Sequence, residues 1–249
     1  MERYRQDNGD LLMKEVFLDK SFQVIVSDKT GGVSTGVYES LNLGLHVGDN
    51  LSHVQKNREI FASYFGANTK DLCFMEQVHG VLVVNAKRGE TPKADALITN
   101  KRDLVLCVMS ADCMGVILYD NDKKAVAAIH AGRKGAFANI VTNTILAMER
   151  EFGSKRENIH SFIGAGIKSC CYEIKDEVLK EAQKSFSWAL HERWGRWFLN
   201  LPSIIKSQLI TNGVKKIIYD DTCTCCDKNY FSYRRDGVCG RFATGVKIL

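Results

Sequence analysis

The chain has 249 residues, of which 45% are hydrophobic and 25% charged, and its formal net charge is +5. This is the balance of an ordinary globular protein, and no apolar run approaches the roughly 18 residues that a membrane span needs. The polar first residues do not resemble a signal peptide, and the basic residues form only short doublets without interleaved aromatic residues. We therefore expect one domain over residues 1–249, located in the cytoplasm, that binds neither membrane nor nucleic acid.

The first predicted elements are a strand at Phe22–Ser27 and a glycine-rich loop at Thr30–Gly48. The loop contains a G-x-S-x-G match, which in serine hydrolases lies between a buried strand and a helix. The residues that follow it lack helical periodicity, so we predict a flexible loop and not a nucleophile elbow. Asp49 or Ser52 is expected to cap a helix that ends at Gly66.

The middle of the chain is rich in short apolar runs typical of strands. We predict strands at Leu72–Met75, Val81–Asn85, Leu104–Ser110, Gly115–Tyr119 and Ala125–His130, with a hairpin turn at Asp120–Lys123. An apolar stripe at helical spacing then predicts one helix over 137–152. Further along we predict helices at Lys175–Ser185 and Pro202–Asn212, and strands at Ile217–Tyr219 and Ala243–Leu249.

Because strands cluster in the middle with hairpin-length links and helices flank them, we predict an α+β fold of mixed or antiparallel sheets covered by helices. No G-x-G-x-x-G follows a strand, and the phosphate-binding P-loop pattern is absent from the sequence. The sequence therefore argues against a bound nucleotide cofactor.

Nine cysteines, an odd number, are scattered through the chain, and two adjacent pairs occur at Cys170-Cys171 and Cys225-Cys226. A secreted disulfide scaffold would be shorter and more regularly spaced, so reduced thiols are expected. Cys223-x-x-Cys226 could be half of a structural zinc site. Such a site needs a second pair, and the spacing of the other cysteines shows none.

Three dispersed residues form a more specific candidate site. His79 lies between two predicted strands, Cys113 follows one strand and His130 ends another. Side chains at the ends of separate strands can converge, and two imidazoles with one thiolate suit Zn²⁺ while leaving a fourth position open. The alternative is a buried cysteine with two hydrogen-bonded histidines.

Short stretches along nearly the whole chain match those of a known family, and they occur in the same order as in that family. The matching stretches are Gly31–Ser34, Ser40–Gly44, His46–Asp49, Gln77–Gly80, Ala94–Leu97, Ala111–Cys113, His130–Gly132, Cys170–Glu173 and Phe231–Gly237. The chain resembles the YfiH-like laccase-domain family, described as polyphenol oxidases and as purine nucleoside phosphorylases. The resemblance implies mixed sheets between helical layers, as in the cysteine-hydrolase toxin deamidases.

The resemblance also implies a cofactor and an activity. The family's zinc ligands correspond to His79, Cys113 and His130, so we expect about one zinc per chain, with copper disfavoured. The implied activity is phosphorolysis of adenosine, inosine and methylthioadenosine to a free base and a ribose 1-phosphate, with adenosine deamination at the same site. The expected partners are a small nucleoside and phosphate, and the expected state is a monomer or homodimer.

Roles for further residues follow from their chemistry. Asp112 or His46 is a candidate proton carrier near the metal. Candidate substrate-binding residues are Asn42, Arg133, Arg234 and Arg235, the arginines as phosphate ligands. The sequence departs from the family pattern at Arg133, Gly115 and Lys168-Ser169, which leaves the metal ligands unchanged but alters the residues beside them.

Three alternative functions remain open. A multicopper polyphenol oxidase is disfavoured because six histidines without a His-x-His pair cannot build such a centre. A peptidoglycan-precursor editing hydrolase would cleave a UDP-linked amino-acyl sugar without phosphate. A metal-free hydrolase would use Cys113 as nucleophile and His130 as base.

Overall fold

The computed structural model describes the backbone of residues 2–7 and 10–249 and the side chains from residue 20 onward. The strands in these ranges are β1 (Glu2–Asp7), β2 (Asp10–Asp19), β3 (Phe22–Ser27), β4 (Leu72–Cys73), β5 (Val83–Asn85), β6 (Ala96–Thr99), β7 (Val105–Ser110), β8 (Met114–Asp120), β9 (Ala125–Ala131), β10 (Ile159–Ile163), β11 (Glu173–Ile174), β12 (Leu190–Arg193), β13 (Arg196–Leu199), β14 (Ile217–Tyr219) and β15 (Phe242–Ile248). The α-helices are α1 (Leu51–Tyr64), α2 (Arg133–Phe137), α3 (Ile140–Phe152), α4 (Asp176–Phe186), α5 (Leu201–Thr211) and α6 (Tyr233–Asp236).

The described strands form two large sheets and one small one. The first large sheet has the order β1-β2-β3-β15-β7-β4, and the second has the order β14-β10-β8-β9-β6-β5. Both are mixed, because β4 pairs parallel with β7 and β5 pairs parallel with β6, whereas the central pairs are antiparallel. The small sheet has the order β11-β13-β12, and its strands lie between β10 and β14 in the sequence.

Strand β7 shows why the central strands are apolar along their whole length. Successive side chains of a strand point to opposite faces. Val105 and Cys107 pack in the cluster that contains Phe61 of α1, whereas Leu106 packs in the cluster that contains Ile117 of the second sheet. Both faces of β7 are therefore buried, one against a helix and one against a sheet.

Strand β8 of the second sheet is likewise buried on both faces. Ile117 faces the first sheet, whereas Val116 and Leu118 pack with Ile145 of α3 and Ile205 of α5. The layers thus run from α1 through the two sheets to α3 and α5. This order confirms the predicted α+β fold with mixed sheets between helical layers.

The predicted cap of α1 was wrong: the observed cap lies one residue after Asp49 and two residues before Ser52. The N-cap is Asn50, whose side chain accepts a hydrogen bond from the backbone N–H of Ser52 at 2.9 Å. Asp49 is engaged elsewhere, because its Oδ2 accepts a hydrogen bond from Oγ of Ser34 at 2.6 Å. The G-x-S-x-G stretch containing Ser34 precedes a single short helical turn, so the prediction of a loop is confirmed.

The helix predicted over 137–152 is divided in two. Asn139 adopts a left-handed backbone with φ of 65°, which ends α2 and starts α3 in a new direction. The apolar stripe of the sequence belongs mainly to α3, and α2 is short. Strands β1, β2, β6, β10, β11, β12 and β13 were not predicted. Most of them are short, and they lie in stretches without a clear period. In the described ranges, no helix has the length and apolar character to cross a bilayer.

Candidate functional site

Cys113 and His130 are brought together by the register of two neighbouring strands. β8 pairs antiparallel with β9, and its first residue, Met114, lies opposite Ala131. Cys113 therefore lies beside Gly132, which follows β9. A Cβ atom at Gly132 would lie 2.9 Å from Sγ of Cys113, a separation too short for real Cβ contacts. Glycine at this position lets the thiol approach the end of β9.

His79 reaches the same place from the loop between β4 and β5. Its backbone is left-handed, with φ of 61°, an unfavourable conformation for a residue with a side chain. Asp95 holds this conformation, because its Oδ1 accepts from the N–H of His79 at 2.9 Å and its Oδ2 from the N–H of Gly80 at 2.6 Å. The rings of His79 and His130 then lie 4.7 Å apart, nearly perpendicular to each other.

Asp95 also orients His130, a role that was not predicted for it. Its Oδ1 lies 2.8 Å from Nδ1 of His130, and both side chains are buried. Burial opposes ionisation of Asp95, but hydrogen bonds from His130 and from the N–H groups of Gly80 and His79 hold its pKa below the ordinary value. With Nδ1 engaged, His130 presents Nε2 to Cys113.

The electrostatics of Cys113 and His130 favour the ionised thiolate. Burial opposes charge on both groups, yet each stabilises the charged form of the other, so the pKa of Cys113 is lowered and that of His130 is raised. His79 adds a second hydrogen bond to the sulfur. A lowered thiol pKa suits a metal ligand and also suits a nucleophile paired with a base.

The three side chains fit a zinc ion. Their ligand atoms all lie within 4.8 Å of one another, and tetrahedral zinc with sulfur and nitrogen ligands places them about 3.3–3.8 Å apart. The carboxylate behind His130 is the arrangement usual for a metal-bound histidine. His130 is buried whereas His79 is exposed, so a fourth position would open toward His79.

A cavity of about 990 Å³ lies over the three side chains. One part of its lining is apolar and aromatic, with Phe74, Met75, Ile167, Tyr172, Leu201 and Tyr233. Another part is cationic, with Arg58, Arg133, Arg234 and Arg241 together with His46. The cavity therefore offers an apolar surface and an anion-binding surface next to a candidate metal centre.

Asp112 lines the cavity, but its carboxylate is occupied. Oδ1 accepts hydrogen bonds from Oγ1 of Thr224 at 2.8 Å and from Oγ of Ser232 at 2.7 Å. Oδ2 accepts from the backbone N–H of Arg234 at 2.6 Å. Its backbone φ of 99° is another unfavourable value at this site. The side chain joins the loop that carries Cys113 to the loop that carries Arg234.

Two of the predicted phosphate-binding arginines line the cavity. Nη1 of Arg133 forms an ion pair with Oε2 of Glu181 at 2.8 Å. Nη1 of Arg234 donates to the carbonyl oxygens of Cys171 and Glu173, both at 3.0 Å. Both guanidinium groups are therefore partly committed to the protein, and the other nitrogens of each remain for a ligand.

Asn42 and Arg235, both predicted to bind substrate, are not among the residues that line the cavity. Asn42 is fully buried, and its Oδ1 accepts from the backbone N–H groups of Gly44 and Arg241 at 2.9 and 2.8 Å. Arg235 points away and donates to the carbonyl oxygens of its own loop, including that of Tyr230 at 2.7 Å. Both side chains organise the backbone around the site.

Arg58 and Arg241 line the cavity and were not predicted. Arg58 stacks on Phe74 at 4.0 Å and donates from Nε to the carbonyl of Leu43, and burial lowers its pKa to about 10. Burial and then the charges of Arg241 and Arg58 lower the pKa of His46. In the described part of the chain neither arginine has a carboxylate within ion-pair distance. Arg58 follows the buried Asn57 on α1, and only that position near the apolar face hints at its role.

Comparisons with known proteins identify the family of this chain and agree with its fold. A family model described as multi-copper polyphenol oxidoreductase laccase matches residues 23–249. The chain is 37% identical to a purine nucleoside phosphorylase of Corynebacterium glutamicum, over 88% of this chain and 91% of that protein. It is 38% identical to a purine nucleoside phosphorylase of Streptomyces coelicolor, over 87% and 91%. The crystal structure of the hypothetical protein YfiH of Bacillus licheniformis superposes with a TM-score of 0.92 at 27% identity, covering 100% and 99% of the two chains.

Proposed function

Because the chain belongs to the YfiH-like laccase-domain family, we propose that it is a purine nucleoside phosphorylase that uses zinc. The names of its relatives support the nucleoside as substrate. The observation that carries the proposal is the cavity over the His79, Cys113 and His130 side chains, whose lining supplies both aromatic and cationic surface. A purine and a phosphate need those two surfaces side by side.

The reaction exchanges one bond for another at the ribose. The bond between C1′ and the purine nitrogen breaks, a phosphate oxygen forms a bond to C1′, and the departing base takes up a proton. Adenosine, inosine and methylthioadenosine share this bond.

At the same site we propose deamination of adenosine, in which water adds to C6 of the purine and ammonia leaves. When bound, zinc would supply Lewis acidity that activates water for deamination and orients phosphate for phosphorolysis.

We assign phosphate binding to Arg58 and Arg241 in preference to Arg235. The two guanidinium groups lie close enough to depress the pKa of His46, and no carboxylate among the described residues neutralises them. An incoming phosphate would form charge-assisted hydrogen bonds with both. Arg133 and Arg234 stay candidates for the opposite side of the cavity, where they adjoin Tyr172.

We assign proton transfer to His46 and a positioning role to Asp112. The lowered pKa keeps the imidazole of His46 neutral near pH 7, so it can accept the proton of dihydrogen phosphate as the nucleophile forms. Asp112 was predicted as an alternative proton carrier. We assign it to positioning, because both oxygens already accept hydrogen bonds from Thr224, Ser232 and Arg234.

A second candidate has one observation in its favour. Asp95, His130 and Cys113 lie in the order of an orienting acid, a base and a nucleophile, and the pKa of Cys113 is lowered. A metal-free hydrolase would use the same three residues. A multicopper oxidase lacks such support, because among the described histidines only His79 and His130 share a cluster of ligands. No contact in the cavity singles out a peptidoglycan precursor.

The deciding experiment is a product analysis of the purified protein. Adenosine, inosine and methylthioadenosine are incubated with and without phosphate, and the bases and sugar phosphates are separated by liquid chromatography. We expect release of base only with phosphate, in a one-to-one ratio with ribose 1-phosphate. Base release independent of phosphate, or turnover confined to amino-acyl sugars, would contradict the proposal. Cytoplasmic location and the monomeric or dimeric state stay predictions.

A further inference from the structure

Four cysteines form a second sulfur cluster away from Cys113. Cys170 and Cys171 lie in the loop before β11, and Cys223 and Cys226 lie in the loop after β14. Their sulfur atoms all lie within 4.8 Å of one another. Sγ of Cys226 is 3.6 Å from Sγ of Cys170 and 3.3 Å from Sγ of Cys171, although 56 and 55 residues separate them along the chain.

This arrangement supplies the pair that the sequence appeared to lack. Cys223-x-x-Cys226 needs two further sulfur ligands, and the adjacent Cys170-Cys171 provides them from another loop. Zn–S bonds of about 2.3 Å in a tetrahedron place neighbouring sulfurs about 3.8 Å apart. The Cys170–Cys226 and Cys171–Cys226 separations of 3.6 and 3.3 Å lie within about 0.5 Å of that value. A disulfide would instead bring one pair to about 2.05 Å and leave the other two thiols unexplained.

The loops are already held in the geometry that the cluster needs. Gly166, a few residues before Cys170, forms a parallel bridge with Cys223. The N–H of Gly166 donates to the carbonyl of Thr222, and the N–H of Thr224 donates to the carbonyl of Gly166, both at 3.3 Å. The N–H of Cys226 donates to the carbonyl of Cys223 at 3.1 Å, which closes the turn between these two ligands.

The four sulfur atoms lie close enough together for one divalent metal ion to bind all of them as thiolates.

We propose that Cys170, Cys171, Cys223 and Cys226 bind a structural zinc ion, separate from the candidate centre at Cys113. Four protein ligands fill a tetrahedral zinc, so this site leaves no position for substrate. The chain then binds two zinc ions and not the one that the sequence predicts.

The second ion would secure one wall of the cavity. Nη1 of Arg234 donates to the carbonyl of Cys171, and Oγ1 of Thr224 donates to Oδ1 of Asp112. Both contacts join a loop of the cluster to a residue that lines the cavity. Cys170 and Cys226 are exposed, so little apolar packing fixes these loops. The metal supplies the cross-link that packing does not.

Metal content of matched variants tests the proposal. Zinc is measured by elemental analysis in the wild type, in Cys226→Ser, in Cys113→Ala and in Cys225→Ser, a neighbouring cysteine outside the four-sulfur group. We expect two zinc ions in the wild type and in Cys225→Ser, and one in each of the other two. Cys226→Ser that retains as much zinc as the wild type would overturn the proposal.

The same series separates this inference from the proposed function. If only the cavity binds zinc, Cys113→Ala loses the single ion and Cys226→Ser keeps it, and the four-cysteine site is wrong. If only the four cysteines bind zinc, Cys226→Ser loses the single ion and Cys113→Ala keeps it, so the structural site stands while the zinc enzyme does not.

A measurement on the wild-type protein tests the same proposal if a cysteine variant fails to fold. The native protein is treated with iodoacetamide before and after chelation, and peptides are analysed by mass spectrometry. We expect Cys170, Cys171, Cys223 and Cys226 to be protected until zinc is removed and then labelled together. Rapid labelling of the exposed Cys226 before chelation, or a disulfide in freshly purified protein, would contradict a zinc site.

Discussion

Oδ1 of Asp95 lies 2.8 Å from Nδ1 of His130, and the same carboxylate accepts the backbone N–H groups of His79 and Gly80. One buried side chain therefore sets the ring orientation of one candidate ligand and the backbone of another. The positions of both histidines therefore depend on this carboxylate.

Replacement of Asp95 by Asn tests that dependence. The amide keeps the size of the side chain but loses the charge and one acceptor, so we expect zinc affinity at the cavity site to fall about 10–100-fold. Competition with a chromogenic chelator measures the affinity. Asp103→Asn is the control, because Asp103 is an exposed carboxylate that pairs with Arg88 on the surface. Equal affinities in the two variants would argue against the role of Asp95.

The lowered pKa of Asp95 also predicts a pH dependence of stability. A carboxylate whose pKa is lower in the folded protein stabilises it above the unfolded pKa, and that contribution is lost as pH falls through the folded pKa. The free energy of unfolding of the wild type should therefore decline more steeply below about pH 4 than that of Asp95→Asn. Denaturant titrations across this range, with metal present in both samples, measure the difference. Parallel declines would contradict the prediction.

Cys113 distinguishes the zinc enzyme from the metal-free hydrolase. A thiolate bound to zinc has its lone pairs engaged, so alkylation by iodoacetamide should be slow in the zinc protein and fast after chelation. A nucleophile paired with His130 would react fast in both states. Mass spectrometry of the peptide that contains Cys113 reports both rates. The buried Cys107, whose pKa is raised by burial, should stay unlabelled throughout and serves as the internal control.

Arg58 and Arg241 test the assignment of the phosphate site. A charge-assisted hydrogen bond contributes about 1.5–3 kcal/mol, so Arg58→Gln or Arg241→Gln should raise the KM for phosphate about 10–100-fold. The KM for the nucleoside should change far less, because the purine occupies the apolar wall. Arg150→Gln is the surface control, since Arg150 is largely exposed on α3. Initial rates at varied phosphate measure the effect, and unchanged phosphate KM in both variants would exclude this site.

Replacement of His46 tests its part in proton transfer. A positioned base contributes about 10²–10⁴-fold, so His46→Gln should lower kcat/KM by that range. Because the pKa of His46 is lowered, the neutral imidazole persists below pH 6.5, and activity should fall only on the acid side of that value. The pH–rate profile of the variant should lack this limb. If the His46→Gln profile keeps the same acid limb, another group causes that limb. His191→Gln is the control, because His191 is exposed, and it should behave as the wild type.

Apolar patterns determined much of the fold. Runs such as Val105–Ser110 and Ala125–Ala131 are apolar except for Ser110 and His130, because both faces of each strand are buried, and such runs are visible without a structure. The turn between β8 and β9 was equally visible. The apolar pattern did not predict where helices end. Asn139 divides one apolar stripe between α2 and α3 because its backbone is left-handed.

The candidate ligands came from residue types at strand ends and from resemblance, and the structure brings His79, Cys113 and His130 together. Which neighbours touch them depended on side-chain direction, which residue identity does not determine. Arg234 and Arg235 are adjacent in the chain, yet one lines the cavity and the other binds backbone carbonyls of its own loop. The contact between the sulfur atoms of Cys171 and Cys226 likewise joins two loops that are 55 residues apart and meet only in the folded protein. Local sequence thus determined the strands and the chemistry available, whereas the tertiary structure decided which side chains meet, because those contacts join residues distant in the chain.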